Sequence, residues 1–161
     1  MGAVADRLLG YRRVGLDPVC FIYHLGRHPE YVEVTTEIFD LVETGKLTAV
    51  TSTLTLLMIL TRAKMLGHQA AADSYRAVLT TFPNLELRRS DFSIADLASD
   101  LRVRYRIGAP EAIQIATAIV EGAGAYLCDD PTLSRVVELD VVLLRDLRQS
   151  GVHASQAMKE Q

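Results

Sequence analysis

Five short apolar runs, separated by stretches of helical periodicity, restrict this chain to a narrow set of folds. The runs span residues 14–16, 47–50, 85–87, 125–127 and 141–144. No Asn-Gly or Asp-Gly pair joins them, so the pattern lacks the turns that make tight hairpins. Short strands with helices between them assemble as a parallel sheet covered on both faces. The expected class is α/β, a three-layer α/β/α arrangement around a central parallel sheet of about five strands. At 161 residues the chain is long enough to close one sizeable core, and no linker, repeat or low-complexity tract divides it. A single domain over residues 1–161 is expected, with its core at about 14–147 and a polar tail at 148–161.

The helices are marked by their ends. Pro18 and Pro110 each open one, because the first helical turn does not need the N–H that proline lacks. Tyr31, Val34, Ile38, Leu41 and Val42 recur at helical spacing, and Gly45 ends that run. Ser52 or Thr53 caps the next helix, over 54–66. It is apolar on nearly every side from Leu54 to Leu60, which predicts deep burial. Another helix follows Gly67 to about Thr81, and Ser90 or Asp91 caps one that reaches about Tyr105. The helix opened by Pro110 is apolar over most of its circumference, with Glu111, Gln114, Thr117 and Glu121 on one polar flank.

Ligands of an open parallel sheet bind beyond the carboxyl ends of its strands, where strand order reverses. Asp17 ends the first run, Asp129 and Asp130 end the fourth, and Glu111 sits in the first turn of the Pro110 helix. Taken singly, each has a plain structural reading as a cap, a turn residue or a first-turn acid favoured by the helix dipole. Their joint placement points further. Carboxylates gathered at one edge repel unless a cation holds them, and Mg²⁺ or Mn²⁺ suits such oxygen donors.

A formal charge of −3 excludes a global positive field that would draw in polyanions. Local clusters remain: Arg12 with Arg13, Arg62 with Lys64, Arg88 with Arg89, and Arg102, Arg104 and Arg106. Arg102 and Arg106 share a helix face and are the candidates for phosphate contact, although each cluster alone also reads as a solvated face. His24 and His28 are four apart, but Gly26 and Pro29 interrupt any helix between them, which favours surface histidines. Cys20 and Cys128 read as buried reduced thiols. With no signal-like start they suggest the cytoplasm. The uncharged stretch 47–61 is too short and too rich in Thr to cross a bilayer, so no membrane role is expected.

A strand ending in Asp, a strand with an apolar helix after it, the helix PEAIQIATAI and then the strand end LCDD follow one another in this chain. That order resembles the PIN domain, the fold of VapC-type toxins and related metal-dependent nucleases, over about residues 14–147. Asp17 and Asp130 match acids of the family pattern, and Glu111 stands where the family has Asp. Met58 stands where a Glu is usual, and Cys128 and Asp129 stand where Thr and Asn are common. The resemblance implies a ribonuclease that hydrolyses RNA phosphodiesters. Its catalytic acids and metal ligands would be Asp17, Glu111 and Asp130, with Asp129 a weaker ligand and Mg²⁺ or Mn²⁺ the cofactor; Arg102 and Arg106, singled out by their charge and spacing, would then meet the substrate. It also implies the toxin of a toxin–antitoxin pair, with a cognate antitoxin and a homodimer.

Met58 divides the readings. A thioether is a soft donor and no ligand for Mg²⁺, so a PIN fold that has lost catalysis and binds RNA or a protein stands beside the nuclease. A phosphotransfer domain on a doubly wound sheet is a third class. It lacks a second Asp after Asp17, where Pro18 and Val19 stand, and it lacks a lysine at a late strand end. No G-x-G-x-x-G follows any strand, which argues against a dinucleotide site.

Overall fold

In the computed structural model, which describes residues 2–148, the apolar runs form one sheet of five parallel strands. These are β1 (Arg13–Leu16), β2 (Thr48–Ser52), β3 (Leu85–Arg88), β4 (Ala125–Cys128) and β5 (Asp140–Leu143), in the order β3-β2-β1-β4-β5. Val14 pairs with Ala49 on one side and Ala125 on the other, so β1 is central. Strand order reverses between β1 and β4. Of the polar tail expected at 148–161, all but Arg148 lies outside the described residues.

The helices are α1 (Ala3–Leu8), α2 (Pro18–Leu25), α3 (Val32–Glu43), α4 (Thr53–Met65), α5 (Gln69–Thr81), α6 (Phe92–Tyr105) and α7 (Ala109–Val120), and residues 144–148 are helical as well. A 3-10 turn, Pro131–Arg135, follows β4. Successive strand residues face opposite sides of a sheet, and the two cores follow that alternation. Val14, Leu16, Ala49, Ala125 and Leu127 pack with Leu8, Phe21 and Ile38 of α1, α2 and α3. Val50, Tyr126 and Cys128 pack with Leu101 of α6 and Ile115 of α7 on the other side. Each fully buried Val, Leu, Ile or Phe among them contributes about 1.5–3 kcal/mol.

Three local choices set how close the layers come. Asp17, Ser52 and Asp91 cap α2, α4 and α6, accepting from the N–H groups of Val19, Leu54 and Ile94 at 2.9, 3.1 and 3.1 Å. Gly15 faces α7, where an added Cβ would stand 2.6 Å from Ala118 Cβ and 3.0 Å from Tyr126 Cδ2. Its bareness lets α7 lie directly on β1, helped by the small buried Ala112, Ala116 and Ala118. At the far end of α7, Gly122 takes φ +75° and turns the chain toward β4.

Two helices depart from simple amphipathic expectation. The deep burial expected of α4 is not found: it buries only Thr55, Ile59 and Ala63. Leu57 and Met58 are 58% and 41% exposed, and Met65, the last residue of the helix, is exposed too. The reason is position. The helix lies against α5, α2 and the end of β2, so one narrow stripe suffices to hold it. The polar flank of α7, in contrast, is turned inward, with Gln114 and Thr117 buried. Glu121 at the end of that flank joins a ladder of charges. It pairs with Arg13 (3.4 Å) and Arg88 (2.5 Å), Arg13 also pairs with Glu86 (3.1 Å), and Arg88 with Asp91 (2.8 Å).

Candidate metal centre

The carboxyl ends of β1 and β4 meet at the point where strand order reverses, and the acids there are sorted by strand alternation. Asp17 follows Gly15 in parity and so falls on the α7 side of the sheet. Four contacts fix it. Its N–H donates to the Leu127 carbonyl at 3.0 Å, and the carbonyl just before it accepts from Thr51 Oγ1 at 2.8 Å. Its Oδ1 takes the Val19 N–H, and its Oδ2 takes the Tyr126 hydroxyl at 2.5 Å.

Asp130 follows Tyr126 and Cys128 in parity and stays on the same side. Its Oδ1 accepts from the backbone N–H and the hydroxyl of Thr132 at 2.9 and 2.8 Å, which caps the 3-10 turn. Asp129 has the opposite parity and a different neighbourhood. It accepts from the Tyr23 hydroxyl and from Arg145 Nε, each at 3.1 Å, and its backbone carbonyl takes Arg145 Nη2 at 2.8 Å. Its charge is already matched there. Glu111, half-buried in the first turn of α7, lays its carboxylate against Gly108.

Electrostatics ties the remaining three together. Burial raises the Asp17 carboxyl above its usual value, the donors Tyr126 and Val19 pull it back, and the charges of Glu111 and Asp130 raise it again. Among the described residues, none of the three forms an ion pair. Three hard oxygen donors with no cation beside them have the chemistry that Mg²⁺ or Mn²⁺ needs. As the side chains lie, no three His, Cys, Asp or Glu residues among those described are gathered tightly enough to hold an ion. The site offers charge and oxygen donors, and Met58 adds neither. It lines an apolar surface with Ile22, Leu57, Met65 and Leu66.

Arg102 and Arg106 line one open concavity with Ser99, Val103 and Ile107, next to Gly108 at the start of α7. They do not share a helix face as expected, because Arg106 ends α6 in the left-handed region at φ 55°. Arg102 Nε donates to the Ile107 carbonyl at 3.3 Å, which holds that turn. Arg13 and Arg88 are committed to the ladder beside Glu121, and Arg104 pairs with Glu138. His24 bonds Thr35 at 3.1 Å, and His28 packs on Tyr23 and Tyr31. Cys20 and Cys128 are buried free thiols, and burial pushes Cys128 up to about 12.

Sequence reasoning missed Tyr126. The signal was a tyrosine inside an otherwise apolar strand, since a buried phenol requires a partner for its hydroxyl. It also missed Thr51, Thr55 and Gln114, three buried polar side chains joined by hydrogen bonds beneath the acids.

No family model matches the chain, and no curated protein does. Solved structures do. A chain of the VapBC2 complex from Rickettsia felis, bound to a DNA fragment from its promoter, superposes with a TM-score of 0.63 at 16% identity over 81% of this chain and 98% of that one. A toxin–antitoxin complex from Klebsiella pneumoniae gives 0.62 at 16% identity, over 82% and 97%. DNA-bound VapBC from Salmonella typhimurium gives 0.65 at 16% identity, over 83% and 98%. At that identity the likeness is one of fold. With its five parallel strands between two helical layers, the chain has the VapC-like PIN fold.

Proposed function

We propose that this protein is a VapC-type toxin, a ribonuclease that hydrolyses RNA phosphodiester bonds with Mg²⁺ or Mn²⁺ held by Asp17, Glu111 and Asp130. One observation carries the reading: Asp17, Glu111 and Asp130 form no ion pair among the described residues, and the charges of the last two raise the Asp17 carboxyl. Asp129 is the weakest donor of the set, because Arg145 and Tyr23 already occupy it. When bound, the ion supplies Lewis acidity and an activated water.

The chain's own residues do the rest. Tyr126 and the Val19 N–H fix the orientation of the Asp17 carboxylate. Glu111 enters no ion pair among the described residues, so its carboxylate is free to face the ion. Arg102 and Arg106 hold the phosphates on the α6 side of the cleft. The exposed apolar face of α4 fits an antitoxin segment or a second copy of the chain, with Arg62 on its border.

The test is calorimetry with Mn²⁺ on the wild type and on Asp17→Asn, followed by RNA cleavage with the same two proteins. Binding heat that vanishes in the variant, with cleavage that vanishes beside it, is the expected result. No heat in either folded protein would overturn the metal reading. Met58 favours a second reading, a PIN fold that binds RNA or a protein without cutting. If Met58→Glu leaves Mn²⁺ binding absent, that second reading takes over.

A further inference from the structure

Beneath the acids runs a chain of buried hydrogen bonds that the cleavage chemistry does not itself require. Gln114 Nε2 donates to Thr55 Oγ1 at 3.0 Å, Thr55 and Thr51 share a bond of 2.7 Å, and Thr51 Oγ1 donates to the Leu16 carbonyl at 2.8 Å. The three side chains are 3%, 0% and 2% exposed. Their proton directions follow from counting. Each hydroxyl has one proton to give, and a carbonyl can only accept. Thr51 must therefore spend its proton on Leu16, Thr55 must spend its own on Thr51, and Gln114 must present its amide nitrogen. The dipoles run head to tail from α7 to β1, an arrangement in which each bond strengthens the next.

Both ends of this relay sit beside acids of the metal site. Gln114 is one turn beyond Glu111 on α7, on the same face. The Leu16 carbonyl belongs to the peptide that joins Leu16 to Asp17. Three hydrogen bonds thus connect the helix carrying Glu111 to the backbone carrying Asp17, through α4 and β2. The amino end of α7 has no side-chain cap.

We propose that Gln114, Thr55 and Thr51 are positioning residues that set the spacing of Glu111 and Asp17. The proposal rests on the metal reading above. A purely structural role would show in stability alone, whereas a positioning role also shows in metal affinity and in local exchange at the amino end of α7.

Two variants of one residue separate these. Thr55→Val keeps the shape and loses the hydroxyl, while Thr55→Ser keeps the hydroxyl and loses a methyl group. Mn²⁺ affinity by calorimetry, and backbone hydrogen exchange of residues 109–115 in the metal-free protein, are measured on both and on wild type. Thr55→Val is expected to bind Mn²⁺ about tenfold more weakly, as loss of a supporting contact around a metal ligand does, and to exchange faster over 109–115. Thr55→Ser is expected to match wild type in both, even if its melting temperature is the lower one. Thr51→Val, which breaks the next link, should repeat the Thr55→Val result and serves if that variant does not fold. Affinity that follows melting temperature instead of the hydroxyl would overturn the proposal. Should wild type bind no Mn²⁺, the metal reading fails by itself. The exchange data then decide the tether: faster in Val alone retains it, and equal rates remove it.

Discussion

Helices α4 and α7 make opposite use of their side chains. The first reads TLTLLMILTRAKM and leaves Leu57, Met58 and Met65 open to solvent. The second reads APEAIQIATAIV and buries Gln114 and Thr117. Composition alone would have assigned them the other way round. What differs is rank in the architecture. α7 lies on the central strand under α6, so all its faces but one meet protein, and its polar groups must find partners there. α4 flanks the sheet beside α5 and needs only Ile59 and Ala63 to stay attached. Inward polarity in α7 and outward apolarity in α4 thus follow from where each helix sits in the architecture.

The sharpest way to break this contrast is paired truncation. Ile115→Ala in α7 should cost about 3 kcal/mol in urea unfolding, as a fully buried aliphatic side chain does, whereas Leu57→Ala in α4 should change stability by less than about 0.5 kcal/mol. Equal costs would mean that α4 is held far more tightly than its exposure indicates. Beneath α7, Gly15→Ala forces a methyl group against Ala118 and Tyr126. Overpacking of that kind costs about 1–3 kcal/mol, and here it should also disturb the Tyr126 bond to Asp17.

Tyr126→Phe removes only that bond. A stability loss of about 1 kcal/mol is expected from one buried hydrogen bond, together with Mn²⁺ binding weakened about tenfold. Unchanged affinity would show that the phenol does not orient Asp17.

The smallest effect concerns pH. Asp17 holds its proton more tightly folded than unfolded, so the folded state binds more protons across the interval between the two values. Its contribution to stability therefore falls as pH rises through that interval. Without metal, Asp17→Asn should melt higher than wild type at neutral pH, and the gap should close on acidification through the raised value. Adding Mn²⁺ should reverse the order. Melting curves against pH, with and without the ion, check both statements.

The parts of the fold readable in the sequence were those set by neighbours along the chain. Strand runs, the caps Asp17, Ser52 and Asp91, and the stop at Gly122 each depend on a few adjacent residues. Strand-end acids were visible for the same reason. The partners of Asp129 were not, although strand alternation separates it from Asp130 once the ends of β4 are known. Tyr126 with Asp17, and Gln114 with Thr55, are distant in sequence. Only the crossing of β2, β1 and β4 under α7 brings them together. The exposure of α4 was unreadable because an apolar circumference says nothing about how much protein surrounds it.

The charge ladder at Glu121 has a mechanical side. It bolts the carboxyl end of α7 to β1 and β3, while the amino end is held sideways by Gln114. The helix is thus a lever with its fulcrum at Glu121 and its working tip at Glu111, about 15 Å away at a rise of roughly 1.5 Å per residue. A tilt of only about 1° moves the tip by roughly 0.3 Å, more than the ~0.2 Å within which metal–ligand distances normally fall. A change at the fulcrum would then be felt about 15 Å away as a displaced Glu111 carboxylate.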